Sequence, residues 1–257
     1  MAKYIQGKKI GSGTYSNVYE ALDTEFNQTV ALKKIILNEN EGIPSTTLRE
    51  ISILKILNHK NIINLLNIIH KEEFLIMVLE YVEYDLLTFI EKFQHTKLSL
   101  IHQLIYGLHF IHSNNIIHRD LKPANILVTK HGQLKIADFG LARIVNSMDS
   151  GYSSEVITLW YRPPELLNNT AFYSFEVDIW SLGCIIYEII TNKPLFFGKN
   201  KEHQLELIKA INLTEIEHEL SLYKIPNKYT KIVIKCLEKN PSLRISIGEI
   251  VLLLDSI

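Results

Sequence analysis

Up to residue 80 the apolar residues come in short alternating runs broken by polar turns, whereas beyond residue 86 they recur mainly at three- and four-residue spacing. Period-two alternation marks a half-buried strand, and the i, i+3, i+4 spacing marks one face of a helix. The pattern predicts strands at 4–10 and 17–23, separated by a glycine-containing turn, and at 29–37, a β-branched run. Segment 45–57 reads as a helix, with Pro44 just before it and Ser/Thr residues placed to cap its start. Segments 62–69 and 74–79, split by Lys71-Glu72-Glu73, read as a hairpin. The clearest later helices fall at 98–113, 175–191, 203–211 and 229–239. There is no repeat, low-complexity segment or long linker. A small β-rich half followed by a larger helical half predicts an α+β protein of two lobes with a cleft between them.

Composition narrows the function classes more than the fold. A chain of 257 residues suits one large domain or two closely packed lobes, and 47% hydrophobic with 21% charged residues is not the make-up of a disordered protein. The formal net charge of -1 gives no whole-molecule field toward nucleic acids or anionic membranes, so neither is expected as a direct partner. The N-terminus lacks the apolar run of a signal peptide, Ala2 stands where a myristoylated Gly would, and the apolar run 185–190 is too short to span a bilayer. A soluble protein of the cytoplasm or nucleus is expected. Cys184 and Cys236 lie far apart in apolar stretches and read as buried, inert thiols rather than a disulfide or metal site.

Several short constellations carry chemistry. Gly11 and Gly13, between two predicted strands, let a hairpin backbone approach phosphate groups; a third glycine expected in such loops is replaced by Ser16. In Val30-Ala-Leu-Lys33 the strand period puts Ala31 and Lys33 on one face, a flat apolar surface beside a cation, as an adenine ring with its phosphates requires; Lys34 points the other way, toward solvent. On the following helix Glu50 is placed to pair with Lys33 and shares a face with Ile53, Leu54 and Leu57. Leu48, Ile51 and Ile56 fall largely on the opposite side, which must meet either the second lobe or a partner protein. The most informative run is Ile117-His-Arg-Asp-Leu-Lys-Pro-Ala-Asn-Ile-Leu127 followed by Lys135-Ile-Ala-Asp-Phe-Gly140. Asp120 can accept a hydroxyl proton, Lys122 can neutralise a transferring phosphoryl group, and Asn125 and Asp138 offer hard oxygen ligands for Mg²⁺. Farther on, Glu165 needs a buried partner, for which Arg244 is the candidate, and Asp178 is placed to brace the catalytic loop by accepting backbone N–H bonds.

Together these motifs, spread from Ile10 to Arg244, resemble the eukaryotic protein-kinase signature over essentially the whole chain. Within that group Glu41-Gly-Ile-Pro-Ser-Thr-Thr-Leu-Arg-Glu50 is similar to the PSTAIRE helix of the cyclin-dependent kinases, a CMGC-group family, with Thr47-Leu48 in place of Ala-Ile. The resemblance implies a kinase domain over 4–257, with an N-lobe at about 4–80, a hinge at 80–85 and a C-lobe at about 86–257. It implies ATP and Mg²⁺, transfer to Ser or Thr followed by Pro in protein substrates, and a cyclin docked on the helix through Leu48 and Ile51. Lys33, Glu50, Asp120 and Lys122 would then be catalytic. Ile10, Gly11, Gly13, Val18, Ala31 and Leu127 would surround the nucleotide, Glu80-Tyr81-Val82 would offer hinge bonds behind Leu79, and Asp85 would reach the ribose. Arg49, Arg119 and Arg143 match arginines that clasp an activation-loop phosphate, which relieves the repulsion among three converging cations. Ser153 aligns as the acceptor, with Ser154 as its rival, and Thr14 and Tyr15 match inhibitory phosphorylation sites. The stretches between Asp85 and His118 and after Pro194 are shorter than in the relatives, which puts accessory-subunit docking in doubt. The helix favours a cell-cycle role. The alternatives are a transcriptional kinase acting on the RNA polymerase II tail and, from another class, a pseudokinase scaffold.

Overall fold

The computed structural model describes residues 3–13, 16–37, 42–93, 96–145, 159–170 and 173–256. Five antiparallel strands form the N-terminal sheet: β1 (Tyr4–Ser12), β2 (Ser16–Asp23), β3 (Gln28–Ile36), β4 (Leu65–His70) and β5 (Phe74–Glu80), in the order β1-β2-β3-β5-β4. Helix α1 (Ser45–Ile56) enters between β3 and β4. The remainder is mainly helical: α2 (Leu86–Lys92), α3 (Lys97–Ser113), α4 (Pro164–Leu167), α5 (Glu176–Thr191), α6 (Lys201–Ala210), α7 (Leu213–Ser221), α8 (Asn227–Cys236) and α9 (Ile247–Asp255). Short strands β6 (Tyr84–Asp85), β8 (Ile126–Val128) and β9 (Leu134–Ile136) make a three-stranded sheet, and β7 (Ile116–Ile117) pairs with β10 (Arg143–Ile144). An α+β, two-lobed architecture results, as the hydrophobic pattern predicts.

Helix α1 differs from expectation in two ways. No Ser or Thr side chain caps it; Pro44 is the N-cap, and its carbonyl accepts the amides of Thr47 and Leu48 at 2.9 and 3.1 Å. Second, Ile51 is not on the outer face with Leu48. At roughly 100° per residue it lies about 100° round from Glu50, at the edge of the apolar arc, and the core takes it in. It is 8% exposed, whereas Leu48 and Ile56 are 48% and 56% exposed. Lys34 also departs from a purely solvated placement: its ammonium sits 4.0 Å over the Phe74 ring, a cation–π contact.

At the centre of the larger lobe, α5 is buried on every side from Val177 to Thr191. That suits its nearly continuous apolar sequence, which leaves no polar face for water. Gly183 brings α8 so close that a Cβ there would lie 2.6 Å from the Cys236 Cβ. Gly183→Ala should therefore destabilise the fold by about 1–3 kcal/mol through overpacking, although Ala is the better helix former. A urea unfolding midpoint lowered in this variant checks the point. Burial pushes both the Cys184 and Cys236 thiols well above the usual range, so they are inert, and both are free. Helices α7 and α9 and the short strands escaped the sequence reading. For α9 a signal was present: Ser246 and Glu249 form a capping box, the Ser-x-x-Glu pattern that announces a helix start.

Candidate active site

The cleft is built from the sheet downward. Period-two alternation on β3 puts Ala31 in the core and Lys33 beside α1, where its ammonium lies 2.8 and 2.7 Å from the two Glu50 oxygens and 3.4 Å from Asp138 Oδ1. Burial works against the Lys33 charge, but Glu50 and Asp138 outweigh it and hold the ammonium pKa above its usual value. Glu50 is the weaker acid of the two carboxyls. Burial pushes it up against the pull of Lys33, and Asp138 adds to the push. Asp138 goes the other way: burial opposes its charge, yet Lys33 and His118 keep its carboxyl below the usual range. Val18 lies opposite Lys33 in the β2–β3 register and opposite Gly11 in β1–β2, and the Gly13 amide closes the loop on the Ser16 carbonyl at 2.7 Å. Neither Gly11 nor Gly13 adopts a positive φ, so their use is close backbone approach rather than a left-handed turn.

Where the chain leaves β5, Leu79 pairs with Ala31 across the sheet, and Tyr81 and Val82 are half-buried. Glu80 is held by two bonds that motif reading did not foresee: its Oε1 accepts the Lys135 ammonium at 2.8 Å and the Asn64 amide at 2.7 Å, tying the hinge to both lobes. Asp85 caps α2 by accepting Thr88 N–H at 2.9 Å and the Thr88 hydroxyl at 2.7 Å, and it pairs with Leu127 across β6–β8. The exposed Ile10 stands on β1 before the glycine loop.

Below, the catalytic loop folds on itself. Asp120 Oδ2 accepts Lys122 Nζ at 2.7 Å and Asn125 Nδ2 at 2.9 Å, while the same Nδ2 reaches the Asp120 carbonyl at 2.8 Å. The Ala137 amide donates to the Asn125 carbonyl at 2.9 Å, and His118 Nε2 meets the Ala137 carbonyl at 3.0 Å, which ties the loop to the strand leading into Asp138. Phe139 is fully buried, edge-on to His118. Arg119 and Asp138 have φ of 68° and 64°, a left-handed conformation that non-glycine residues rarely adopt. Asp178 supports one of these turns by accepting the His118 and Arg119 amides, each at 2.8 Å, and it also takes His112 Nε2 at 2.9 Å.

Asp178 is 1% exposed, and burial alone would raise its pKa. The bond and charge of His112, the charge of His118 and the His118 amide outweigh that and hold it below the usual carboxylate range. A depressed native pKa contributes stability that is full above the unfolded value of about 3.9 and is lost as pH falls through the native value. Between the two the unfolded chain binds the extra proton, so stability rises with pH there. Asp178→Asn should reduce overall stability and remove up to about one proton from the slope of unfolding free energy below pH 4, measurable by denaturant titration across pH.

Three arginines from separate segments converge. Arg49 donates to the Gly140 carbonyl at 3.3 Å, and Arg119 donates to the Leu141 carbonyl and, at 2.9 Å, to the Tyr173 hydroxyl. Arg143 pairs with Ile117 across β10–β7. Burial and then the charges of Arg119 and Arg143 lower the Arg49 pKa, the signature of crowded cations. Thr14, Tyr15, Ser153 and Ser154 lie outside the described residues. Tyr173, Lys135 and His112 were missed by motif reading because their roles exist only through contacts with segments far along the chain. The same holds for Arg162, whose half-buried guanidinium feels the charge of Asp120.

The donor set suits a hard divalent cation. Asn125 spends its Nδ2 on Asp120, which leaves its side-chain Oδ1 available as a ligand, and Asp138 supplies a half-exposed carboxylate of lowered pKa. Among the described residues no three His, Cys, Asp or Glu cluster as a metal cage. A cation here would be shared between two protein oxygens and substrate phosphates, the arrangement Mg²⁺ favours.

Residues 4–252 match the family model of the protein kinase domain. The chain belongs to the protein kinase family. A probable cell division protein kinase of Encephalitozoon cuniculi (strain GB-M1) is 51% identical to it over 263 aligned positions, covering 100% of this chain and 98% of that protein. The kinase is thus a Ser/Thr kinase of the cyclin-dependent type, as the PSTAIRE-like helix suggested. Protein kinases as a family use ATP and a divalent metal ion. No helix among the described residues is long and apolar enough to cross a membrane.

Proposed function

We propose that this kinase phosphorylates Ser or Thr followed by Pro in protein substrates, under the control of a cyclin, in the cell-division cycle. The observation that carries the reading is α1. Its inner side presents Glu50 to Lys33 at 2.7 Å, while its outer side leaves Leu48 and Ile56 exposed. An apolar outer face on a helix that must hold a catalytic ion pair favours a partner that covers it. The Leu48 and Ile56 pair, with Ile51 buried behind it, is the cyclin-facing surface in this reading.

In the reaction, Lys33, fixed by Glu50, holds the α- and β-phosphates of ATP, and the glycine loop at Gly11 and Gly13 covers them. Ile10, Val18, Ala31 and Leu127 enclose the adenine, backbone groups of Glu80 to Val82 bond its edge, and Asp85 reaches the ribose. Asn125 and Asp138 would hold Mg²⁺, which supplies charge neutralisation at the phosphates when bound. Asp120 orients the incoming hydroxyl and takes its proton, while Lys122 steadies the charge that develops on the phosphoryl oxygens. Arg49, Arg119 and Arg143 await a phosphate on Ser153, which would order the loop around Asp138.

The test is affinity capture of the kinase from its own cells, followed by identification of bound proteins and an assay on Ser-Pro and Ser-Ala peptides. A co-purifying cyclin, strong stimulation by it and preference for Ser-Pro are expected. Full activity of the isolated chain without a cyclin would remove the cyclin dependence, and equal rates on both peptides would remove the proline rule.

A further inference from the structure

Away from the cleft, a cavity of about 320 Å³ opens where the end of α3 and the starts of α5 and α9 meet. Its volume lies in the range of small-molecule sites, roughly 300–1,000 Å³. Phe175, Ile179, Ile245 and Ile247 supply an apolar wall. Two polar side chains border it. One is Glu176, whose carboxylate pairs with no cation among the described residues. The other is His112, which is 7% exposed and whose Nδ1 is buried without a hydrogen-bond partner. The cation in the lining, Arg244, is already consumed by Glu165, the Glu176 carbonyl and the Glu238 carbonyl. The lining therefore offers an apolar wall and one carboxylate that no cation neutralises among the described residues.

We propose that this cavity binds a small planar organic cation, its aromatic body against Phe175, Ile179 and Ile247 and its charged N–H groups on Glu176. Aromatic faces and a carboxylate together favour such a cation, and an amidinium matches a carboxylate with two parallel bonds. The site is two hydrogen bonds from the catalytic loop. His112, packed against Phe175 at 4.8 Å between ring centroids, donates through Nε2 to Asp178, which in turn holds the His118 and Arg119 amides. A ligand here would therefore be sensed at the turn that presents Asp120.

Benzamidine is the probe, titrated onto the full chain by protein-observed NMR with the ATP cleft saturated by a non-hydrolysable ATP analogue and Mg²⁺. Saturable binding with a dissociation constant of roughly 1 mM is expected for so small a ligand, with the His112 ring signals among those that move. Benzamide, its neutral relative, should bind at least about tenfold more weakly, as should benzamidine to Glu176→Gln. Gly248 lines the cavity, and a Cβ there meets nothing within 4 Å, so a side chain can start from this position and Gly248→Phe should abolish binding by occupying the space. Displacement of benzamidine by the ATP analogue would overturn the proposal. So would unchanged affinity in either variant, equal affinity for benzamide, or no saturable binding to the unaltered chain.

Discussion

Asp120→Asn should slow phosphoryl transfer by roughly 10²–10⁴ while leaving the fold intact. The substitution keeps shape and volume, so the bonds that Asp120 Oδ2 accepts from Lys122 and Asn125, at 2.7 and 2.9 Å, can be replaced in part by the amide oxygen. What disappears is a basic oxygen for the incoming hydroxyl and the negative charge between Lys122 and Arg162. The loss should appear in kcat with little change in KM for ATP, because in the proposed roles Asp120 acts on the acceptor hydroxyl and Lys33 on the nucleotide. Steady-state kinetics of both proteins on a Ser-containing peptide, with any activating partner held the same, would measure it. Near-normal kcat would remove Asp120 from the role assigned here.

The largest stability loss from one side chain is expected at Arg244→Met. Arg244 and Glu165 are 6% and 7% exposed, and their atoms meet at 2.7 and 3.2 Å. Removing the cation strands a buried carboxylate, which costs about 3–5 kcal/mol. For a chain of this size that corresponds to a fall in Tm of roughly 6–20 °C. Glu165→Gln should cost less, since an amide oxygen still accepts one N–H. Adding it to Arg244→Met should recover part of the loss by removing the stranded charge. Recovery cannot be complete, because the Glu176 and Glu238 carbonyls also lose their donor, at 2.7 and 2.9 Å. Calorimetry on the four proteins settles the matter. A single-variant loss below about 1 kcal/mol would mean that the pair is not the anchor described here.

The same anchor shows why some of the site was legible in advance. Lys33 with Glu50 and Glu165 with Arg244 could be paired from sequence because each is a charge set among apolar residues, and such charges need partners. Asp178 could be assigned to the catalytic loop on similar grounds. Glu80 could not be paired this way. Its link to Lys135 joins the end of β5 to β9, and nothing in either local pattern marks the two as neighbours. Tyr173 and Arg119, and His112 and Asp178, meet for the same reason, through packing of α3, α5 and the segment before α5.

Helix α1 marks the boundary most clearly. Its existence, its extent to within one residue and the inward placement of Glu50 followed from spacing, because a 3.6-residue period is a local property. The fate of Ile51 did not follow, because a residue at the edge of an apolar arc is buried or exposed according to what packs beside it. The two-lobed order of strands and helices and the chemical groups of the cleft were legible from local periodicity and residue type, and the kinase family from the resemblance of the motifs. Not legible there were the left-handed turns at Arg119 and Asp138, the ties of Glu80 to both lobes, and the cavity beside His112. Each of these is the outcome of long-range contacts that offset backbone strain, bury charge or leave space, and no stretch of the chain encodes such contacts alone.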